Sequence, residues 1–262
     1  MKLICLNIWG GKIHDPLLTF IKENAKDTDI FCFQEIFKSE KEIITNGSYS
    51  NIIKEVEALL PDFTGYFYPT ADSADTAGAV NFPLYFGQET FIRNGINLLE
   101  EGNVYMHKKY NEMSYYPNGR PNFPRNFIYS VLEKNGKKFL VLNVHAFWSP
   151  EPKEDNPQRI KQSQIILDFF KKYDMPKIVA GDFNLGINTK SLAMLDANLK
   201  NLIREFNIKT TRSLLYDTKW RVENDDKYAD YIFVSDDVKL IDFKVLTDEV
   251  SDHLPLYLEF EI

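Results

Sequence analysis

Four apolar runs of this 262-residue chain break off into polar residues in the same way. The run LICLNIW carries Asn7 near its end, DIFCFQE closes on Glu35, FLVLNVH on His145, and KIVAGDFN on Asp182 and Asn184. Two further polar sets stand where runs begin, Asp230 in ADYIFVS and Asp252 with His253 in VSDHLPLYLEF. Side chains alternate between the faces of a strand, so Asp182 and Asn184 are expected on one face, as are Asn143 and His145. Antiparallel neighbours set the start of one strand beside the end of the next, which lets all six sets gather at one edge. The expected product is a pocket of three or more carboxylates and three amide or imidazole donors, with very little positive charge.

Carboxylates crowded in this way raise one another's pKa unless a cation offsets the repulsion. Hard oxygen ligands, with no Cys or His cluster at zinc spacing, suit Mg²⁺ or Mn²⁺ better than zinc. A histidine beside an ionised carboxylate, as Asp230 with His253, is oriented for proton transfer. The reaction class these residue types imply is metal-assisted phosphoester hydrolysis. Taken singly, Asn7 and Glu35 also read as edge residues and Asp182 with Asn184 as an Asx turn. Joint occurrence is what points to a site.

The elements that must position these residues are legible as interleaved strand and helix patterns. A first strand covers about 2 to 8, and Asp15 before Pro16 is expected to cap a helix running to about Ala25. Residues 29 to 35 return to strand. Ile52, Ile53, Val56, Leu59 and Leu60 recur at helical spacing up to Pro61, and a strand follows near 63 to 68. Residues 126 to 145 form two strands around Asn135-Gly136, a hairpin signal. A helix over 157 to 172, with an apolar stripe read as core, leads to the strand at 177 to 182. A second helix is expected over about 190 to 199, with strands near 229 to 235, 239 to 246 and 254 to 261. The pattern is a β-rich α+β chain with no repeat and no linker, read as a single domain over residues 1 to 262.

Composition bounds the rest. With 44% hydrophobic residues the chain can bury a large core, and a net charge of -7 argues against a broad electrostatic grip on nucleic acid. Cys5 and Cys32 both lie in apolar runs and read as buried free thiols, which suits a reducing compartment. The opening MKLICLNIWG is too short a run for a signal segment or a membrane span, so a cytoplasmic protein without a transmembrane segment is expected.

At its strand-end motifs the chain resembles the endonuclease/exonuclease/phosphatase superfamily, which includes pancreatic deoxyribonuclease, exonuclease III, sphingomyelinases and inositol polyphosphate 5-phosphatases. The ordered motifs are LNIWG with Asn7, FQE with Glu35, NVHAFW with His145, GDFN with Asp182 and Asn184, DYIFVS with Asp230, and SDHLP with Asp252 and His253. One GDFN would be weak evidence, whereas six motifs in order are specific. The resemblance implies a four-layer α/β/β/α sandwich with the site where the two sheets open. It implies Glu35 as the main metal ligand, Asp252 as a second, and Asn7 in support. Asp182 would position or activate the attacking water, and Asn184 and His145 would hold phosphate oxygens. His253, oriented by Asp230, would be the general base or a phosphate-binding acid. One metal or two are equally compatible.

The branch that cleaves abasic DNA has a Tyr and Asn where this chain has NVHAFW, so His145 places it with the deoxyribonuclease, sphingomyelinase and 5-phosphatase branches. Two stretches are expected at the rim. Residues 66 to 87 are neutral and aromatic, and residues 105 to 127 interleave Lys108, Lys109, Arg120 and Arg125 with Tyr110, Tyr115, Tyr116 and Phe123. Such interleaving is how single-stranded nucleic acid is gripped, and equally how a structured surface insertion is built. Arg125, Tyr115, Tyr116 and Trp148 are therefore the candidate substrate contacts. The reading is a phosphodiesterase acting on DNA, RNA or a nucleotide-like diester. The alternative is a phosphomonoesterase or phospholipase-like enzyme on an inositol or lipid headgroup, and the third reading, the weakest with every motif position filled, is a non-catalytic binding module. No protein partner is inferred.

Overall fold

In a computed structural model that describes residues 1–217 and 226–262, two six-stranded sheets pack face to face. In chain order the strands begin with β1 (Lys2–Asn7), β2 (Ile30–Lys38), the two-residue pair β3 and β4 (Ile44–Thr45, Ser48–Tyr49) and β5 (Phe63–Ala71). A second short pair, β6 and β7 (Ala74–Asp75, Gly78–Ala79), precedes β8 (Tyr85–Arg93) and β9 (Asn97–His107). A third pair, β10 and β11 (Ser114–Tyr115, Pro121–Asn122), leads to β12 (Arg125–Lys134), β13 (Lys137–His145) and β14 (Lys177–Asp182). The chain ends with β15 (Lys200–Asn201), β16 (Asp230–Val234), β17 (Lys239–Val245) and β18 (Leu256–Glu261). One sheet runs β17-β18-β1-β2-β8-β5 and the other β15-β16-β14-β13-β12-β9.

Both sheets are mixed, with β1 parallel to β2 and β13 parallel to β14 among antiparallel pairs. Alternation splits β1 between two cores. Leu3 and Cys5 join the core between the sheets, while Ile4 and Leu6 pack with Leu17, Phe20 and Ile21 of helix α1 (His14–Ala25) and Ile52 and Val56 of helix α2 (Ile52–Leu59). The rings of Phe139 and Phe260 meet across the sandwich at 6.0 Å. On the far face, Phe127 of β12 meets Phe169 of helix α3 (Pro157–Phe170) at 5.0 Å, and α4 (Lys190–Asp196) and α5 (Leu202–Glu205) add Leu192, Leu195, Leu202 and Ile203 to that side. The result is the four-layer sandwich expected from the resemblance.

Several elements differ from the sequence pattern for identifiable reasons. Helix α1 starts at His14 with Ile13 as its N-cap and no capping side chain, so Asp15 and Pro16 sit inside the first turn. First-turn N–H groups have no intrahelical acceptor, and Pro is tolerated there as well as at the first position. Strand β2 does not stop at Glu35 but continues to Lys38. The expected rim segment 66 to 87 is partly sheet, since β5 extends to Ala71 and β8 begins at Tyr85. Strand β8 escaped the pattern because its centre reads Gln88, Glu89, Thr90, three polar residues that are all buried. Gln88 donates to Asn126 across the sandwich at 2.6 Å, a satisfaction that only the tertiary fold supplies. The hairpin at 135 to 136 forms as expected, with Asn135 and Gly136 both at positive φ.

One close approach controls the end of the sandwich where β13 and β14 run side by side. Gly181 pairs with Val144 in the parallel ladder, has φ 155°, and a Cβ there would lie 2.0 Å from the Val144 carbonyl oxygen. Gly181→Ala should therefore force the two strands apart beside His145 and Asp182. The expected cost is about 3 kcal/mol or more, read as a Tm drop of several degrees with loss of turnover. A variant as stable and active as the parent would show that this contact is not tight.

Candidate active site

The register of the strands assembles the site. His145 ends β13 beside Asp182 at the end of β14, Asp182 faces Asp230 at the start of β16, and Asn126, next to Arg125, pairs with His145. In the other sheet Asn7 ends β1 beside Gln34, the residue before Glu35. Glu35 occupies a bulge in β2, where the register with β8 shifts between Gln34 and Ile36, and it takes φ 56°. A bulge re-aims one side chain without ending the strand. Backbone in this region is strained for a non-glycine residue, and such strain is concentrated at functional sites.

Asp182 and Asn184 do share a side, although not through alternation, because β14 ends at Asp182. Asn184 stands at φ 51° with its N–H donating to Asp182 Oδ1 at 3.0 Å. An Asx turn and a functional pair are here the same object. Asp182 Oδ2 accepts from Asn7 Nδ2 at 3.2 Å and lies 3.9 Å from His145 Nε2 and 3.8 Å from His253 Nε2. Glu35 Oε1 is 3.7 Å from His145 Nε2. His253 Nδ1 sits 2.8 Å from both oxygens of Asp230.

Glu35, His145, Asp182, Asn184, Asp252 and His253 line one cavity of about 580 Å³, together with Trp9, Phe86, Phe123, Arg125, Trp148 and Tyr216. Asn7 and Asp230 stand behind that lining and hold members of it. Of the expected substrate contacts, Arg125 and Trp148 line the cavity, and Tyr116 supports Trp148 by donating its hydroxyl to the Trp148 carbonyl at 2.7 Å. Tyr115 lies outside the lining, its hydroxyl accepting from Ala79 N at 3.1 Å. Lys108 closes its own loop on Ser114 Oγ and the Asn122 carbonyl.

The expectation of very little positive charge is corrected by three arginines in the lining, Arg120, Arg125 and Arg212. Arg125 Nη1 donates to His145 Nε2 at 2.6 Å and Arg212 Nη1 to His253 Nε2 at 2.5 Å. Sequence reasoning missed Arg212 because its segment carries no pattern. A β-bridge between Arg212 and His253, with Thr211 accepting from Asp230 N and Ser213 donating to the Ser251 carbonyl, brings it to the site. Trp9, at φ 52° after Asn7, was likewise not singled out, though a bulky residue followed by Gly10-Gly11 is a signal of an unusual backbone.

Burial and the Asp252 charge push the Glu35 carboxyl up to about 7, against the pull of Arg125 and the Asn7 amide. Burial, then Arg125, pushes the His145 imidazole down. Burial likewise pushes the Asp230 carboxyl up and, with Arg212, the His253 imidazole down to about 4. Arg212 donates into Nε2, so the proton of neutral His253 belongs on Nδ1, pointing at Asp230. His253 is thus held as one tautomer with its Nε2 lone pair towards the cavity side.

Residues 4–253 match the model of the Endonuclease/Exonuclease/phosphatase family. The chain belongs to that family. Its members are hydrolases of phosphoester bonds and generally depend on a divalent metal. A curated relative called Phospholipase C from Staphylococcus aureus is 25% identical over 150 residues, 50% of this chain and 42% of that protein. This chain therefore matches less than half the length of that relative. A family structure from Leptotrichia buccalis C-1013-b superposes with TM-score 0.71 at 18% identity, covering 100% of both chains. A mannosyl-6-phosphatase from Bacteroides thetaiotaomicron VPI-5482 gives 0.69 at 17% identity, again covering 100% of both. At those identities the likeness is one of fold.

The donor set fits a hard divalent cation of the kind the family generally requires. Glu35 and Asp252 repel one another, Asn7 offers an amide oxygen, and the two cysteines of the chain are buried free thiols. Among the described residues a different group of ligand-type atoms, from Asp182, Asp230 and His253, also lies within 4.8 Å of one another. Asp230 is committed to His253 Nδ1 and Asp182 to Asn7 and Asn184, which favours proton handling for that group.

The raised Glu35 pKa gives a signed prediction for metal-free protein. The folded state keeps a proton that the unfolded chain releases between pH 4.5 and about 7, so stability relative to Glu35→Gln should fall as pH rises through that window and level off above it. The difference is on the order of 3 kcal/mol, read from urea unfolding of both proteins across pH. Mg²⁺ should stabilise the parent more at pH 8 than at pH 5 and Glu35→Gln little at either. A pH-independent difference would remove the charge from this account.

Proposed function

We propose that this member of the family is a divalent-metal-dependent phosphodiesterase acting on a nucleotide-type diester. The observation that carries the reading is the convergence of a tautomer-fixed His253, the Asp182–Asn7 pair and buried arginines on one cavity. At about 580 Å³ the cavity has the size of a small-ligand site and exceeds what one phosphoryl group needs, so groups on both sides of the phosphorus find walls. Aromatic rings from Trp9, Trp148 and Tyr216 with the Arg120 guanidinium supply such walls, and aromatic and basic groups together suit bases and phosphates. A net charge of -7 and a concave site favour a nucleotide or a short single strand over a duplex.

In this reading Glu35 and Asp252, supported by Asn7, hold Mg²⁺ or Mn²⁺. The bound cation would supply positive charge to the phosphate oxygens. Asp182, oriented by Asn7, positions the attacking water. His253, held by Asp230, takes the proton of that water on Nε2 once Arg212 has turned its Nη1 from that nitrogen to a phosphate oxygen. Asn184 and the paired His145 and Arg125 hold non-bridging oxygens, and fixed donors of this kind act by being in place before charge develops. Buried Cys5 and Cys32 support a reducing, cytoplasmic setting, and among the described residues no helix is long and apolar enough to cross a membrane. The partial match to the staphylococcal Phospholipase C keeps a headgroup diester as the second reading.

A comparison of a diester dye, a monoester dye, single-stranded DNA, plasmid and a phosphocholine diester, each with Mg²⁺ and with EDTA, tests these readings. Metal-dependent cleavage of the diester dye and of nucleotide substrates is expected, with Asp182→Asn and His253→Ala each losing about 100-fold or more in kcat. Cleavage of the monoester alone would sink the diesterase reading, and cleavage of only the phosphocholine diester would select the headgroup reading.

A further inference from the structure

Arg125 and Arg212 are buried cations without a contact ion pair among the described residues, and Glu35 and Asp182 for the first, and Asp252, Asp230 and Asp182 for the second, act on them only from a distance. They are 7% and 4% exposed, and among the described residues no Asp or Glu oxygen lies within the 4.0 Å of an ion pair with either guanidinium. Taking a cation out of water costs several kcal/mol when nothing neutralises it. Each guanidinium instead directs Nη1 at a neutral imidazole, Arg125 at His145 and Arg212 at His253. An imidazole lone pair accepts a hydrogen bond and adds no negative charge, so the N–H face of each guanidinium is free of a contact anion. Arg212 is stacked over the Tyr216 ring at 4.0 Å, and among the described residues its buried Nε has no hydrogen-bond partner. Tyr216 is itself fixed, donating its hydroxyl to Asp226 at 2.8 Å. The two imidazoles lie 3.9 and 3.8 Å from the same Asp182 oxygen, so both arginines are held around one point of the cavity.

We propose that Arg125 and Arg212 form a clamp for the reacting phosphoryl group, and that Arg212 is a catalytic residue selective for its doubly charged state. A diester anion enters with one negative charge. Addition of hydroxide, formed as His253 takes a proton from water, gives a pentacoordinate phosphorus species with two, and departure of the alkoxide, which takes a proton from water, leaves a monoester monoanion whose P–OH then ionises to give two charges near neutral pH. Two fixed cations stabilise the doubly charged species more than the singly charged one, which lowers the barrier rather than only tightening substrate binding. The same clamp retains the monoester product and inorganic phosphate. The turnover part rests on the diesterase reading, and the phosphate-binding part does not.

The test pairs calorimetric binding of inorganic phosphate to metal-free protein with steady-state turnover of the diester dye in Mg²⁺. Arg212→Met should weaken phosphate binding at least 10-fold and lower kcat about 100-fold, with KM changed less than about 3-fold. Phosphate inhibition of turnover should weaken by the same factor as binding. Methylguanidinium added to Arg212→Ala should restore kcat and phosphate binding together, a rescue that a structural role for the side chain would not produce, and this arm stands even where the methionine variant folds poorly. Phosphate binding by Arg212→Met equal to that of the parent, or loss of turnover in Arg212→Ala that methylguanidinium leaves unchanged, overturns the clamp. Arg212-dependent phosphate binding without any diester turnover by the parent would sink the diesterase reading while the clamp stands.

Discussion

One carboxylate oxygen organises the end of the sandwich. Asp182 Oδ2 takes the Asn7 amide from one sheet and faces the His145 and His253 imidazoles, while Oδ1 takes the Asn184 backbone. With Glu35, Asp230 and Asp252 nearby, the constraint is like-charge crowding under partial burial, which proteins resolve by proton uptake, by a cation, or by donors fixed in place. All three appear in the geometry: a raised Glu35, a donor set fit for a divalent cation, and two arginines.

That arrangement depends on the two sheets keeping their relative register, and a buried layer of amides between them does so. Gln34 of β2 donates to Asn143 of β13 at 2.6 Å, Asn143 donates to the Glu89 carbonyl of β8 at 2.9 Å, and Gln88 donates to Asn126 of β12 at 2.6 Å. Each amide neighbours a cavity residue in sequence or register: Gln34 precedes Glu35, Asn126 follows Arg125 and pairs with His145, and Asn143 lies two before His145. A slip of either sheet would leave these polar groups unpaired in an apolar core, a penalty of about 1–3 kcal/mol for each.

The same layer explains what the sequence concealed. Apolar alternation made β1, β13 and β14 plain, because their side chains meet other apolar side chains. It failed on β8, whose Gln88 and Thr90 look like loop residues until Asn126 and Asn143 in other strands supply partners. It also placed the end of β2 at Glu35, since a left-handed bulge in mid-strand has no composition signature when the residue is not glycine.

Taken alone, the sequence determined the chemical types and the order of the strand-end residues, and hence the family and the gathering of Asn7, Glu35, His145, Asp182, Asn184, Asp230, Asp252 and His253. The gathering follows from strand period and chain order, with an Asx turn placing Asn184, all of them local, and the family from the likeness of the ordered motifs to its known members. Tertiary structure alone decided the entry of Arg212 into the cavity, the tautomer of His253 and the aim of Glu35. Arg212 reaches His253 from 41 positions away through a β-bridge, and no local period records a contact that two distant loops make only after the sheets have closed.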